Sequence, residues 1–214
     1  MDGNLSGKSI FIPQRDALLL ALEERAGKDY IPIIKAEVGQ FLQLLIRAVK
    51  PRRILEIGTA IGYSTIWMAR ALAEEAELVT IEKDEDMYLA ARENFQVAGL
   101  GEKIRPKFGD ALEVLPLLGG EFDFVFIDAA KGQYLNYLEL VLDQVPGGGL
   151  IIADNVLYRG YVRKSGRIAH KRRTMVRALQ EYIEVIQEHP CLDSMILPLG
   201  DGLALSVKKS CPED

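Results

Sequence analysis

The stretch Glu56-Ile57-Gly58-Thr59-Ala60-Ile61-Gly62-Tyr63-Ser64 decides the architecture. It closes an apolar run of strand length over 54–57 and opens into 64–72, where apolar residues recur three and four apart as on one face of a helix. Glycines between a strand and a helix let the backbone turn sharply and approach a ligand at the helix start, so a nucleotide-like ligand is implied. The dinucleotide fingerprint G-x-G-x-x-G fits poorly, because Ala60 stands where its second glycine should be.

Outward from this loop the pattern repeats. Short runs rich in Val, Ile, Leu and Phe at 78–81, 104–108, 122–127 and 150–153 read as buried strands, and helical spacing fills 84–97 and 133–142 between them. Such alternation predicts an α/β fold, a Rossmann-like parallel sheet covered by helices on both faces. Two helices are predicted before the first strand, over 14–26 and 37–49, the second stopped by Lys50-Pro51. A helix over 171–187 follows the fifth strand, and runs at 195–199 and 203–207 flank Gly200-Asp201-Gly202 as a hairpin. The reading is one domain over 1–214, with a helical layer over 1–50 and the Rossmann-like core over 51–214.

With 214 residues, 49% of them apolar, the chain can build one well-filled core. No window has the run of roughly 18 apolar residues that a membrane span requires, and the N-terminus carries no basic segment followed by an apolar one, so neither a membrane nor export is expected. Cys191 and Cys211 have no second pair and encode neither a disulfide framework nor a zinc site, which fits a reducing, cytoplasmic setting. The net charge of −5 argues against nucleic acid, but it hides an asymmetry. Residues 156–180 contain no Asp or Glu and eight basic side chains, among them Arg159, Arg163, Lys164, Lys171, Arg172 and Arg173.

Three successive predicted strands end in residues suited to an adenosyl ligand. Glu56 precedes the first glycine by two residues, as is common in adenosylmethionine enzymes. Glu82 ends the second strand, 20 residues past Gly62, where a ribose diol would be held. Asp110-Ala111 ends the third, where an adenine amino group would be met. Glycine turns and strand-end acids are common singly; agreement at three neighbouring ends favours S-adenosylmethionine.

The fourth and fifth strands run out into Asp128-Ala129-Ala130-Lys131 and Asp154-Asn155. Alone, each Asp reads as a helix cap or turn residue. Together at one sheet edge, two carboxylates and an amide oxygen suit a hard cation, Mg²⁺ or Mn²⁺. Such a cation lowers the pKa of a hydroxyl bound to it, and Lys131 is placed to take the proton or hold the oxyanion. An acceptor with two neighbouring oxygens would complete the chelate.

These motifs, with Gly200-Asp201-Gly202 and Asn155-Val156-Leu157, resemble the cation-dependent O-methyltransferase family of catechol and caffeoyl-coenzyme A methyltransferases across about 31–208. The resemblance implies a seven-stranded, mostly parallel class I methyltransferase sheet with its last strand antiparallel, and a homodimer. It implies Asp128, Asp154 and Asn155 as metal ligands and Lys131 with Asp128 as the catalytic pair. The cofactor contacts it implies are Ile34, Gly58, Ser64, Glu82, Asp110, Ala111 and Asp128; Glu56 and Tyr63 of the glycine loop complete that set. Within the family the chain is most similar to bacterial tRNA 5-hydroxyuridine methyltransferases, on the strength of residues 126–134, 155–160 and Lys171-Arg172-Arg173. That implies a tRNA anticodon loop as partner, its phosphates held by the basic segment and a base stacked on Tyr158 or Tyr161. The alternative acceptor is a small catechol or caffeoyl ester, although catechol-type members carry bulkier residues at Ala129 and Ala130 and a further acid near Met195, where only Asp193 is close here, so that the resemblance implies a roomier pocket than theirs.

Overall fold

The computed structural model describes residues 14–163 and 170–209. Two helices, α1 (Ala17–Asp29) and α2 (Ala36–Val49), precede β1 (Arg53–Ile57). The core then alternates through α3 (Tyr63–Ala69), β2 (Glu77–Glu82), α4 (Glu85–Val97), β3 (Ile104–Phe108), α5 (Ala111–Val114), β4 (Phe124–Ile127), α6 (Tyr134–Leu142) and β5 (Leu150–Ala153). It closes with α7 (His170–Glu188), β6 (Leu192–Leu197) and β7 (Leu203–Lys208). The sheet has seven strands in the order β3-β2-β1-β4-β5-β7-β6, parallel except for β7, which runs antiparallel between β5 and β6.

Strand alternation divides the core into two layers. Ile54, Leu78, Ile104, Phe124 and Ile152 face the side covered by α1 to α4, whereas Leu55, Ile57, Val79, Ile81, Val125, Ile127 and Ile151 face α5 to α7. Both faces being covered is why these strands read as continuous apolar runs. Before the first strand, α2 buries Val38, Leu42 and Ile46, each burial contributing about 1.5–3 kcal/mol, and packs on α3.

Boundaries moved for local reasons. Asp16 and Asp84 accept hydrogen bonds from Leu19 N and Met87 N, both at 3.0 Å, and so cap α1 and α4 from outside. The predicted strand over 122–127 begins at Phe124, because Phe122 bonds Gln144 O and lies under the Arg53 guanidinium. The last antiparallel pair begins at Leu192 and breaks before Pro198. Cys191 is disulfide-bonded, against the expectation of a chain without such a bond. Among the described residues no helix is long and apolar enough to cross a membrane.

The chain leaves β1 for β2 on one side and reaches β4 on the other, so strand order reverses between β1 and β4. In open α/β sheets the crevice at the carboxyl ends of such strands is where ligands bind.

Candidate functional site

A cavity of about 550 Å³ opens at that crevice. Its walls include Ile34, Gly58, Tyr63, Ser64, Glu82, Asp110, Ala111, Asp128, Lys131 and Asn155, which were expected from the sequence, and also Tyr30, Met87 and Tyr137, which were not.

The glycine loop shapes one wall. Gly58 has φ 99°, and a Cβ there would lie 2.2 Å from the Asp128 carbonyl oxygen, so only glycine lets the ends of β1 and β4 approach this closely. Ala60 also has a left-handed backbone, φ 46°, and its amide donates to Glu82 Oε2 at 2.7 Å. Glu82 Oε1 accepts from the amides of Lys83 and Asp84, both at 2.9 Å. The same carboxylate therefore fixes the loop and faces the cavity. Asp110 caps α5, accepting from Leu112 N at 3.0 Å, at the third strand end.

Glu56 corrects the expectation of a direct cofactor contact. It lies on the α3 side of β1, fully buried, and is absent from the cavity wall. Its carboxylate accepts hydrogen bonds from Ser64 Oγ, Thr65 Oγ1 and Thr80 Oγ1. Burial pushes its pKa up to about 7 against the pull of those hydroxyls. Glu56 thus supports Ser64, which does line the cavity. The Tyr63 hydroxyl donates to Glu23 on α1, and burial with the Glu23 carboxylate raises that phenol. Met87, an apolar residue of the helix predicted over 84–97, sits at the cavity edge on the first turn of α4.

The strand ends beyond β4 and β5 bring the second predicted cluster together. Asp128 N bonds Ile57 O and Asp154 N bonds Ile127 O, both at 2.9 Å, the last ladder bonds on each side. Lys131 Nζ is 3.6 Å from Asp128 Oδ1. Asp154 Oδ1 accepts from Asn155 N at 2.6 Å, while Asp154 Oδ2 is buried with no hydrogen-bond partner. Asn155 holds a left-handed φ of 57°, locked by the neighbouring contacts of Val156 N with Gly202 O and Leu157 N with Asp201 O. Burial raises the pKa of both Asp128 and Asp154; the Asp128 charge raises Asp154 further, and Lys131 lowers both.

An unpaired buried carboxylate oxygen beside a second carboxylate is costly unless a cation shares them. Two carboxylates and the Asn155 amide are oxygen donors, the set a hard divalent ion takes. Among the described residues no group of three His, Cys, Asp or Glu is available for a metal, so the amide is needed as the third donor. By orphaned atom and by donor chemistry the residues fit such an ion.

Of the basic residues expected to meet RNA, Arg159 and Arg173 do not line this cavity. Lys164 and the side chains of Arg163, Lys171 and Arg172 lie outside the described residues. The Arg159 amide donates to Asp201 Oδ1 at 2.7 Å, and Tyr158 and Tyr161 pack on each other with ring centroids 5.9 Å apart.

A family model described as O-methyltransferase matches residues 13–209. Over 206 residues the chain is 35% identical to a catechol O-methyltransferase of Niastella koreensis, covering 91% of this chain and 90% of that one. Over 180 residues it is 34% identical to caffeoyl-CoA O-methyltransferase 3 of Nicotiana tabacum, covering 79% and 74%. The crystal structure of an O-methyltransferase from Bacillus cereus in complex with SAH superposes with a TM-score of 0.82 at 32% identity, covering 94% of each chain.

Proposed function

The chain belongs to the O-methyltransferase family and is an S-adenosylmethionine-dependent enzyme, and from that premise we propose that it methylates one of two neighbouring oxygens on a small phenolic acceptor with the help of a divalent cation. The observation that carries this reading is Asp154 Oδ2, buried and unpaired at the end of β5, between Asn155 and the neighbouring strand end of Asp128, both of which line the cavity although Asp154 itself does not.

Asp128, Asp154 and Asn155 would hold Mg²⁺ or Mn²⁺. Such an ion would supply Lewis acidity, making a nearby hydroxyl more acidic and helping to orient it for displacement. In the transfer the sulfonium–methyl bond breaks, a carbon–oxygen bond forms, and the hydroxyl proton leaves. Lys131, beside Asp128, takes that proton or holds the oxygen once it has left. Glu82 and Asp110 flank the adenosyl end of the cavity, suited to a ribose diol and an adenine amino group. The segment Ile31-Pro32-Ile33-Ile34 adds an apolar stretch to the lining, suited to an apolar part of cofactor or acceptor.

The small-acceptor reading is supported by the catechol and caffeoyl-CoA enzymes that the chain resembles across most of its length. Ala129 and Ala130 in the wall leave room for an ester larger than a bare catechol. A second reading, methylation of 5-hydroxyuridine in a tRNA anticodon loop, is favoured by the acid-free basic stretch over 156–180. In that base the 5-hydroxyl and 4-carbonyl are also neighbours. Competing labelled methyl transfer into caffeoyl ester, catechol and tRNA bearing 5-hydroxyuridine separates the two. Transfer to the ester or catechol supports the first reading, and transfer to tRNA alone would replace it with the second.

A further inference from the structure

We propose that Tyr134 is a positioning residue for the candidate metal centre, a buried phenol that ties together the two strand ends carrying its donors. The inference rests on the cation reading above and assigns a part of the chain that the reading leaves out.

β4 and β5 are held side by side only as far as the bond from Asp154 N to Ile127 O. Past it, no backbone hydrogen bond among the described residues joins the segment of Asp128 to that of Asp154 and Asn155. Yet a cation held by all three needs their spacing fixed to a few tenths of an ångström. Tyr134 supplies the missing tie. It opens α6 directly after the turn Lys131–Gln133, so its backbone is anchored to the Asp128 side. Its hydroxyl reaches across and donates to the Asp154 carbonyl oxygen at 2.9 Å.

The ring is as well placed as the hydroxyl. Lys131 Nζ lies 5.9 Å from its centroid, so one side chain touches the Asp154 backbone and bounds the space open to the lysine. Behind it stands Tyr182 of α7, edge to face at 5.5 Å and 78°. Tyr134 is 1% exposed and Tyr182 fully buried, so the ring cannot tilt without opening the core. Tyr182's own hydroxyl has no partner, so its contribution is packing alone. Tyr134 is not part of the cavity wall, which separates its role from contact with cofactor or acceptor. Metal sites generally depend on such outer groups to orient the ligands that touch the ion.

The test is Mn²⁺ titration, read by electron paramagnetic resonance or calorimetry, into the full chain loaded with S-adenosylhomocysteine. Tyr134→Phe removes only the oxygen and should weaken Mn²⁺ binding roughly three- to tenfold while S-adenosylhomocysteine affinity stays at the parent value. Tyr182→Leu keeps the hydrogen bond but withdraws the backing ring, and should weaken Mn²⁺ binding by less. Tyr182→Phe should change nothing. A parent chain that binds Mn²⁺ together with a Tyr134→Phe variant that binds it equally well overturns the role of Tyr134 and leaves the cation reading standing. Equal loss of Mn²⁺ and S-adenosylhomocysteine affinity also overturns it, since that is general loosening. A parent chain that binds no Mn²⁺ overturns both.

Discussion

The amide of Ala60 donates to Glu82 Oε2 at 2.7 Å, so the residue that breaks the dinucleotide pattern is held in its left-handed turn by the acid expected at the ribose. Sequence separation hides this bond, which closes the cavity between the ends of β1 and β2. Removing the carboxylate frees three amides at once and leaves Ala60 without the partner that stabilises its conformation. Glu82→Ala should therefore raise the adenosylmethionine Kd by about tenfold or more, measured by calorimetry. Unchanged affinity would mean that the cofactor lies elsewhere.

Glu56 makes stability depend on pH. Burial raises its carboxyl from 4.5 to about 7 in the folded chain, so the folded state binds the proton more tightly than the unfolded state does. That contribution is fully present below 4.5 and is lost as pH rises through about 7. The shift corresponds to about 3 kcal/mol. Urea unfolding of the cofactor-free chain near pH 5 and near pH 8 should show the parent losing stability relative to Glu56→Gln, whose curve is flatter. Parallel curves for the two proteins would remove the buried charge from the account.

Two glycines should respond oppositely to alanine. At Gly58 a Cβ meets the Asp128 carbonyl oxygen at 2.2 Å in a backbone of φ 99°. Gly58→Ala should cost about 2 kcal/mol or more and abolish measurable cofactor binding. At Gly27, inside α1, a Cβ meets nothing within 4 Å. Gly27→Ala should stabilise the chain by about 0.5–1 kcal/mol with full activity, as read by thermal unfolding and turnover.

The two acceptor readings part at the basic segment. Under the small-acceptor reading, the double variant Arg172→Glu with Arg173→Glu turns over a caffeoyl ester at the parent rate. If that variant loses transfer to hypomodified tRNA and the parent prefers tRNA, the second reading prevails.

Much of this was legible in the chain itself. Strands buried on both faces announce themselves as apolar runs, and five strand ends carry the acids and glycines that define the crevice. What escaped depends on contacts between distant elements. Glu56 looks like a contact because its spacing to Gly58 is right, but strand alternation turns it to the α3 side under Ser64. Met87 and Tyr137 look like core residues because they lie at apolar helical positions, and only the packing of α4 and α6 brings them to the cavity edge. The short helix α5 is too brief to give a period. Tyr134 gave no signal, since its partner is a backbone carbonyl 20 residues away.

The cation is the claim on which the chemistry turns, and Asp154 is its most informative residue, with one oxygen bonded to the next amide and the other buried without a partner. The decisive measurement is methyl transfer by the parent chain and by Asp154→Ala, each after exhaustive chelation and again after adding back Mg²⁺. The parent should lose transfer on chelation and regain it with Mg²⁺, while Asp154→Ala stays inactive at every Mg²⁺ concentration yet still binds adenosylmethionine. Full turnover by the chelated parent, or parent-like rates from Asp154→Ala, would contradict the account.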